Sequence, residues 1–180
     1  AEGEKPDVVV APPAVLDEAG LDAASRAPVG RVGVGVAVRE GTPAPDLSGA
    51  DALAASLRQA ERVVFNRAST GIYVEKLLDR LGLAAELAPR IVRYPDGAAV
   101  MEHLIRGEGR EIGFGAVTEI LLYRGKGLRL AGELPAELQN YTSYAAGLTP
   151  GSPNGEGGRA FLAFLATPAA KALFAANGVE

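Results

Sequence analysis

The chain has 180 residues, 48% of them hydrophobic and 22% charged, with 18 Lys and Arg against 22 Asp and Glu, one histidine and no cysteine. That apolar share supports one folded domain or two small lobes and excludes disorder or a fibrous repeat, while zero cysteine excludes disulfides, thiolate nucleophiles and Cys-ligated zinc. A net charge of −4 without a Lys/Arg cluster leaves no electrostatic footprint for phosphate backbones, so nucleic acid is not an expected partner.

The chain opens A-E-G-E-K-P, without the apolar run of a secretory signal, as a mature or trimmed protein would. Residues 7–11 (DVVVA) read as a strand closed by Pro12-Pro13, and residues 16–24 as a helix with acids near its start. Over residues 32–38 four valines alternate with Gly33, Gly35 and Ala37, which predicts an extended segment with one bare face open to close packing. The run G-R-V-G-V-G inside this region has the spacing G-x-x-G-x-G rather than that of a dinucleotide fingerprint, and it is read as strand. Residues 40–48 (EGTPAPDLS) form a linker. Residues 51–62 follow as a helix capped by Ser48, then a strand over 62–65, a polar loop over 66–70 and a helix over 71–81 stopped by Gly82.

The grammar repeats: strand 91–94, turn at Pro95-Asp96-Gly97, helix 98–106, strand 112–117, short helix 118–123 and strand 128–131. An extended run over 141–148 precedes a Gly/Pro/Asn/Ser loop over 149–158 and two closing helices, 159–165 and 168–177. The stretch 160–176 is apolar, but Thr167-Pro168 and Lys171 break it, so no bilayer span is expected. Strands alternating with helices imply βαβ units, a largely parallel sheet and binding at strand C-terminal ends.

Chemistry concentrates in Asn66-Arg67-Ala68-Ser69-Thr70-Gly71. Free amides at a helix start, with the positive end of its dipole, favour an anion; Ser69 and Thr70 offer hydroxyls, and Arg67 a bidentate guanidinium. The alternative is ordinary N-capping by Ser69 or Thr70. Gly97 opens a second helix in the equivalent position, where its bare amide points to the same ligand or Asp96 simply caps. Gly113 and Gly115 leave room for a ligand or for a packed helix. His103, mid-helix and without a second histidine, reads as structural rather than as metal ligand or base. Ser69 lacks a nucleophile elbow, so a hydrolase would have to recruit that lone histidine. The acids Asp17, Glu18, Asp51, Glu133 and Glu137 read as solvated, dipole-complementing groups. Tyr94, closing a strand just before Asp96, is the tyrosine nearest to this region of the pattern.

The order R-V-V-F, S-T-G-I-Y, K-L-L-D-R-L-G-L, Y-P-D-G-A-A-V-M-E-H-L and E-I-G-F-G resembles the second lobe of periplasmic molybdate-binding proteins and their wider group, the type 2 solute-binding proteins of ABC transporters. The terminal R-A-F-L-A-F-L-A-T-P-A-A-K-A-L-F-A-A-N-G-V is similar to the closing helix pair of that group, and G-E-K-P-D-V-V-V-A-P to a strand of its first lobe. The resemblance implies an α/β fold of two lobes: lobe one from residues 1–36 and 145–180, lobe two from 37–144, with crossing strands near 32–38 and 141–148. It implies that the Thr70 and Gly97 amides bind the anion; Ser69, Gly71, Asn66 and Arg67 join them by proximity.

Three departures matter. The family's opening strand-helix-strand portion, with its ligand-binding serines, has no counterpart, so lobe one is expected to be incomplete and the chain to self-associate, a homodimer being one outcome. The family's oxyanion-binding tyrosine falls near Ala116. The loop at 66–69 is shorter and carries Arg67, which suits a small carboxylate as well as molybdate. The expectation is therefore a periplasmic or lipid-anchored protein that captures a small anion by hinge closure and delivers it to an ABC permease, with no cofactor, metal, catalysis or membrane insertion. The rivals are a ligand-sensing effector domain of a transcription regulator and a hydrolase built on Ser69 and His103.

Overall fold

The structure, a computed structural model, describes residues 6–21 and 25–180. The opening residues 1–5 and the end of the first expected helix, residues 22–24, lie outside the described residues. The chain divides into two compact units, Ala1–Val32 with Thr142–Glu180, and Gly33–Tyr141.

In the first unit, strand β1 (Val8–Ala11) pairs antiparallel with β7 (Tyr141–Leu148), in the register Val8 to Leu148 through Ala11 to Ala145. Helix α1 (Pro13–Glu18) starts earlier than the periodicity predicts because Pro13 supplies the helical φ at the first turn. It also ends earlier: Gly20 takes φ +71° and the Leu21 amide reaches back to the Leu16 carbonyl at 3.0 Å, a Schellman stop. Leu16, Ala11 and Leu21 form one small core, and Ala146 with Leu162 and Leu165 another. Helices α7 (Gly155–Leu165) and α8 (Pro168–Ala176) are bent by 67°, and among the described residues no single helix is long and apolar enough to cross a membrane. The expected loop over 149–158 is thus shorter by one helical turn. Its glycines allow close packing there, Gly158 lying against Leu148, where a Cβ would overlap the leucine. The chain end is tied down by reciprocal backbone bonds between Arg31 and Glu180, at 2.8 and 2.9 Å.

The second unit is built on β2 (Ala27–Arg39), which enters it at Gly33, β3 (Arg62–Asn66), β4 (Ile91–Tyr94), β5 (Glu111–Ala116) and β6 (Leu128–Glu133). The sheet is mixed rather than largely parallel. Only β3 with β4 and β3 with β5 run parallel; β2 pairs antiparallel with both β5 and β6. The helical crossovers set the parallel trio, β6 runs in the same direction as β5, and β2 alone of the five runs against them.

Strand β3 is buried on both faces, with Val63, Val64 and Phe65 fully enclosed. Val63 and Phe65 join Ile112 and Phe114 under helices α2 (Ala50–Gln59) and α3 (Ser69–Arg80). Val64 faces the other way, onto Val100, Met101 and Leu104 of α5 (Gly97–Arg106) and Ile120 of α6 (Val117–Leu121). Period-2 alternation in the three-residue apolar run Val63-Val64-Phe65 thus places α3 and α5 on opposite faces of one sheet. The room left by Gly113 and Gly115 is taken by α5: a Cβ at Gly113 would overlap Leu104, and one at Gly115 would press on the Met101 methyl. Gly35 is likewise bare for Ile120 and Leu130. A fourth short helix, α4 (Ala84–Leu87), follows the Gly82 stop, burying Leu83 and Leu87. Ser48 does not cap α2, whose N-cap is Gly49; the Ala50 amide donates instead to Glu137 Oε1 at 3.0 Å.

Candidate functional site

Strands β3 and β4 run in register to their ends, Asn66 opposite Tyr94, and the Arg67 amide continues the ladder to the Tyr94 carbonyl at 2.9 Å. Both following helices begin within three residues of that last pair, α3 at Ser69 and α5 at Gly97. The register therefore brings the starts of both helices to one edge of the sheet, the C-terminal ends of the parallel strands.

At the first start the N-cap is Ala68, which has no side chain to cap with, and neither Ser69 nor Thr70 caps the helix. Asn66 substitutes from outside. Its side chain is buried, and Oδ1 accepts from the Ala68 amide at 3.1 Å and the Gly71 amide at 2.9 Å. Gly71 approaches so closely that a Cβ there would overlap the Asn66 carbonyl oxygen. Asn66 and Gly71 hence lock the loop into shape, and among the described residues the amides of Ser69 and Thr70 have no acceptor at the positive end of a twelve-residue helix. Ser69 and Arg67 are exposed and Thr70 half-buried. Among the described residues nothing pairs with the Arg67 guanidinium. Asn66→Ala removes the acceptor of two amides, and we expect a loss of about 1–3 kcal/mol in urea unfolding, with Asn66→Asp, which keeps the acceptor, close to the parent.

At the second start Asp96 is the N-cap, its Oδ1 accepting from the Ala99 amide at 2.9 Å. Gly97 is buried, and both oxygens of the Glu119 carboxyl lie where its Cβ would be. Burial pushes the Glu119 carboxyl above its ordinary range, and the nearby Asp96 charge pushes it further.

Tyr94 and His103 belong to a separate arrangement. The Tyr94 hydroxyl lies 2.8 Å from His103 Nδ1, and His103 Nε2 lies 3.2 Å from Glu111 Oε2, out of line for a hydrogen bond. Glu111, only 4% exposed, is held by Arg62 at 2.7 Å, and this pairing raises the Arg62 guanidinium further above its already high value. Arg62 and Glu111 are the first residues of β3 and β5 and Tyr94 is the last of β4, so this chain runs from the Asn66 end of the strands to the opposite end, beside a depression of about 860 Å³. His103 has Tyr94 and Glu111 as its partners, and no Ser69–His103 pair forms. Among the described residues no group of His, Asp and Glu has the geometry to hold a metal ion. Histidine spacing alone gave no hint of this chain, because Tyr94 and Glu111 flank His103 from two different strands.

A model of the bacterial extracellular solute-binding protein family matches residues 1–180. The chain belongs to that family. Among similar proteins, the aconitate isomerase of a Pseudomonas species is 32% identical over 182 residues, covering 96% of this chain and 67% of the relative. Two solved structures share the fold of this solute-binding protein. One is the periplasmic molybdate-binding protein of Azotobacter vinelandii, with TM-score 0.73 and 20% identity, covering 99% of this chain and 79% of that one. The other is a substrate-binding domain assigned to a molybdenum ABC transporter of Clostridium difficile, with TM-score 0.73 and 16% identity, covering 99% of this chain and 78% of that one. The fold is thus the α/β periplasmic-binding-protein fold.

Proposed function

We propose that this solute-binding protein captures a small anion, an oxyanion or a small carboxylate, in the periplasm and passes it to an ABC permease. The observation that carries the reading is the pair of helix starts at one sheet edge, where among the described residues the Ser69 and Thr70 amides and the Arg67 guanidinium have no partner. Main-chain amides hold an anion with fixed partial charges and without burying a full counter-charge, so the protein's net acidity is no obstacle. The molybdate-binding protein of the same fold supports the anion class, and the aconitate isomerase relative favours a carboxylate. Capture by hinge closure belongs to the proposal: a ligand with higher affinity for the shut form shifts the open–closed equilibrium toward it. Calorimetry with molybdate and trans-aconitate tests it. Arg67→Ala should weaken the bound anion by about 1.5–3 kcal/mol, a charged hydrogen bond's worth; unchanged affinity removes Arg67 from the site.

A second reading is favoured by the 32% identity to an aconitate isomerase across nearly the whole chain: the same site moves a proton on an unsaturated tricarboxylate. Proton NMR of cis- or trans-aconitate incubated with the protein separates the two. Interconversion above the protein-free rate supports the isomerase, and saturable binding without interconversion supports the binding protein.

A further inference from the structure

Resting on the reading of the α5 start as part of an anion site, the structure carries one step more. The space beside the Gly97 amide, on the side a Cβ would take, is not empty of charge-bearing groups. Both carboxyl oxygens of Glu119 lie against Gly97, so near that a Cβ would overlap them, and among the described residues neither oxygen accepts a hydrogen bond. Asp96 sits at the same helix end, committed to the Ala99 amide. A captured anion would be the third negative group at one helix start, whose dipole amounts to roughly half a positive charge. Like charges crowded at one site do not all stay ionised.

We propose that Glu119, which stands against the start of α5 in the free protein, makes way for the captured anion's charge by taking up a proton, so that anion capture is coupled to proton uptake. In the coupled step one proton leaves solvent for the Glu119 carboxylate as one anion enters, and no other bond is made or broken. The protonated carboxyl then becomes a hydrogen-bond donor facing the anion, where the carboxylate had repelled it. The raised affinity of this carboxyl for its proton in the free protein agrees in direction.

The other charged groups on elements packed against α6 are occupied elsewhere. On α5, Glu102 pairs with Arg106 at 3.3 Å, and His103 lies between Tyr94 and Glu111. On β5, Glu111 is at the far end of the strand with Arg62. On β6, Arg129 donates to the Thr42 carbonyl at 2.8 Å and Glu133 accepts from Gln139 at 3.1 Å. Asp96 is therefore the one charged neighbour that acts on Glu119.

The test is calorimetric titration of the protein with molybdate and with trans-aconitate from about pH 6 to about pH 8, where both probes keep their charge, in buffers of different protonation enthalpy. In the parent, affinity should fall by up to roughly tenfold per pH unit, with proton uptake rising toward one per anion bound. In Glu119→Gln, which keeps size and polarity, affinity should be flat with pH, proton uptake absent, and binding at the alkaline end tighter than in the parent. The same slope and uptake in Glu119→Gln as in the parent would overturn the role of Glu119 while leaving the anion site standing. Binding of neither probe by either protein would overturn the anion site and this role with it.

Discussion

Gly71→Ala is expected to cost about 3 kcal/mol or more, because the methyl group meets the Asn66 backbone carbonyl rather than a side chain that could turn aside. Relief would require α3 to retreat from the end of β3. That breaks the bond from the Gly71 amide to Asn66 Oδ1 and disturbs the core that α3 shares with Phe65. At roughly 2–4 °C per kcal/mol for a chain of this size, the melting temperature should drop by about 6–12 °C. The variant should also lose affinity for anions, since the loop that presents the Ser69 and Thr70 amides no longer has its shape. Differential scanning calorimetry reads the first effect; a change within a degree would mean that the loop accommodates a side chain and that Gly71 is not a close-approach residue.

Phe65→Ala should be comparably damaging, about 3–5 kcal/mol in urea unfolding. The ring is fully buried between β3, β5 and α3, and Arg93 stacks on it with its guanidinium carbon 5.5 Å from the ring centre. Phe65→Leu retains most of the apolar volume and should cost about 1–1.5 kcal/mol. Because Phe65 directly precedes Asn66, a loss well below the expected value would show that the end of β3 is supported by something other than this core.

These two residues also show what the sequence makes legible. The run Arg62-Val63-Val64-Phe65 before a polar loop and an amphipathic helix is a local signal, and strand, helix and their order follow from it; the same holds for β4, α5 and β5. Elements whose residues carry a contrary local signal extend beyond what the pattern predicts. Pro28 and Gly30 hide the first part of β2, and Gly155, Gly157 and Gly158 hide the first turn of α7. Strand–helix alternation predicts a common direction for β3, β4, β5 and β6, which they have; β2 departs from it, running against β5 and β6 although a helix follows it.

For the candidate site, the loop at 66–71 and the turn at Asp96-Gly97 stand out locally, since helix starts announce themselves by polar residues and glycine before an apolar period. The division of labour inside the loop does not. Asn66 looks like a ligand donor in sequence, while its Oδ1 is taken up by two amides, and Ser69 and Thr70 look like caps yet cap nothing. Glu119 could not have been assigned to Gly97, because the contact joins α6 to the start of α5 across an intervening strand. The Tyr94–His103–Glu111 chain is invisible for the same reason: its three members sit on β4, α5 and β5, and only packing brings them together.

The most direct measurement of the central claim is a titration of the ¹⁵N-labelled protein with molybdate, and separately with trans-aconitate, followed amide by amide. The account predicts that the N–H signals of Ser69, Thr70 and Gly97 move downfield together and saturate at one midpoint, as hydrogen bonds to the anion form. Saturable binding that leaves the Thr70 and Gly97 signals in place would contradict it.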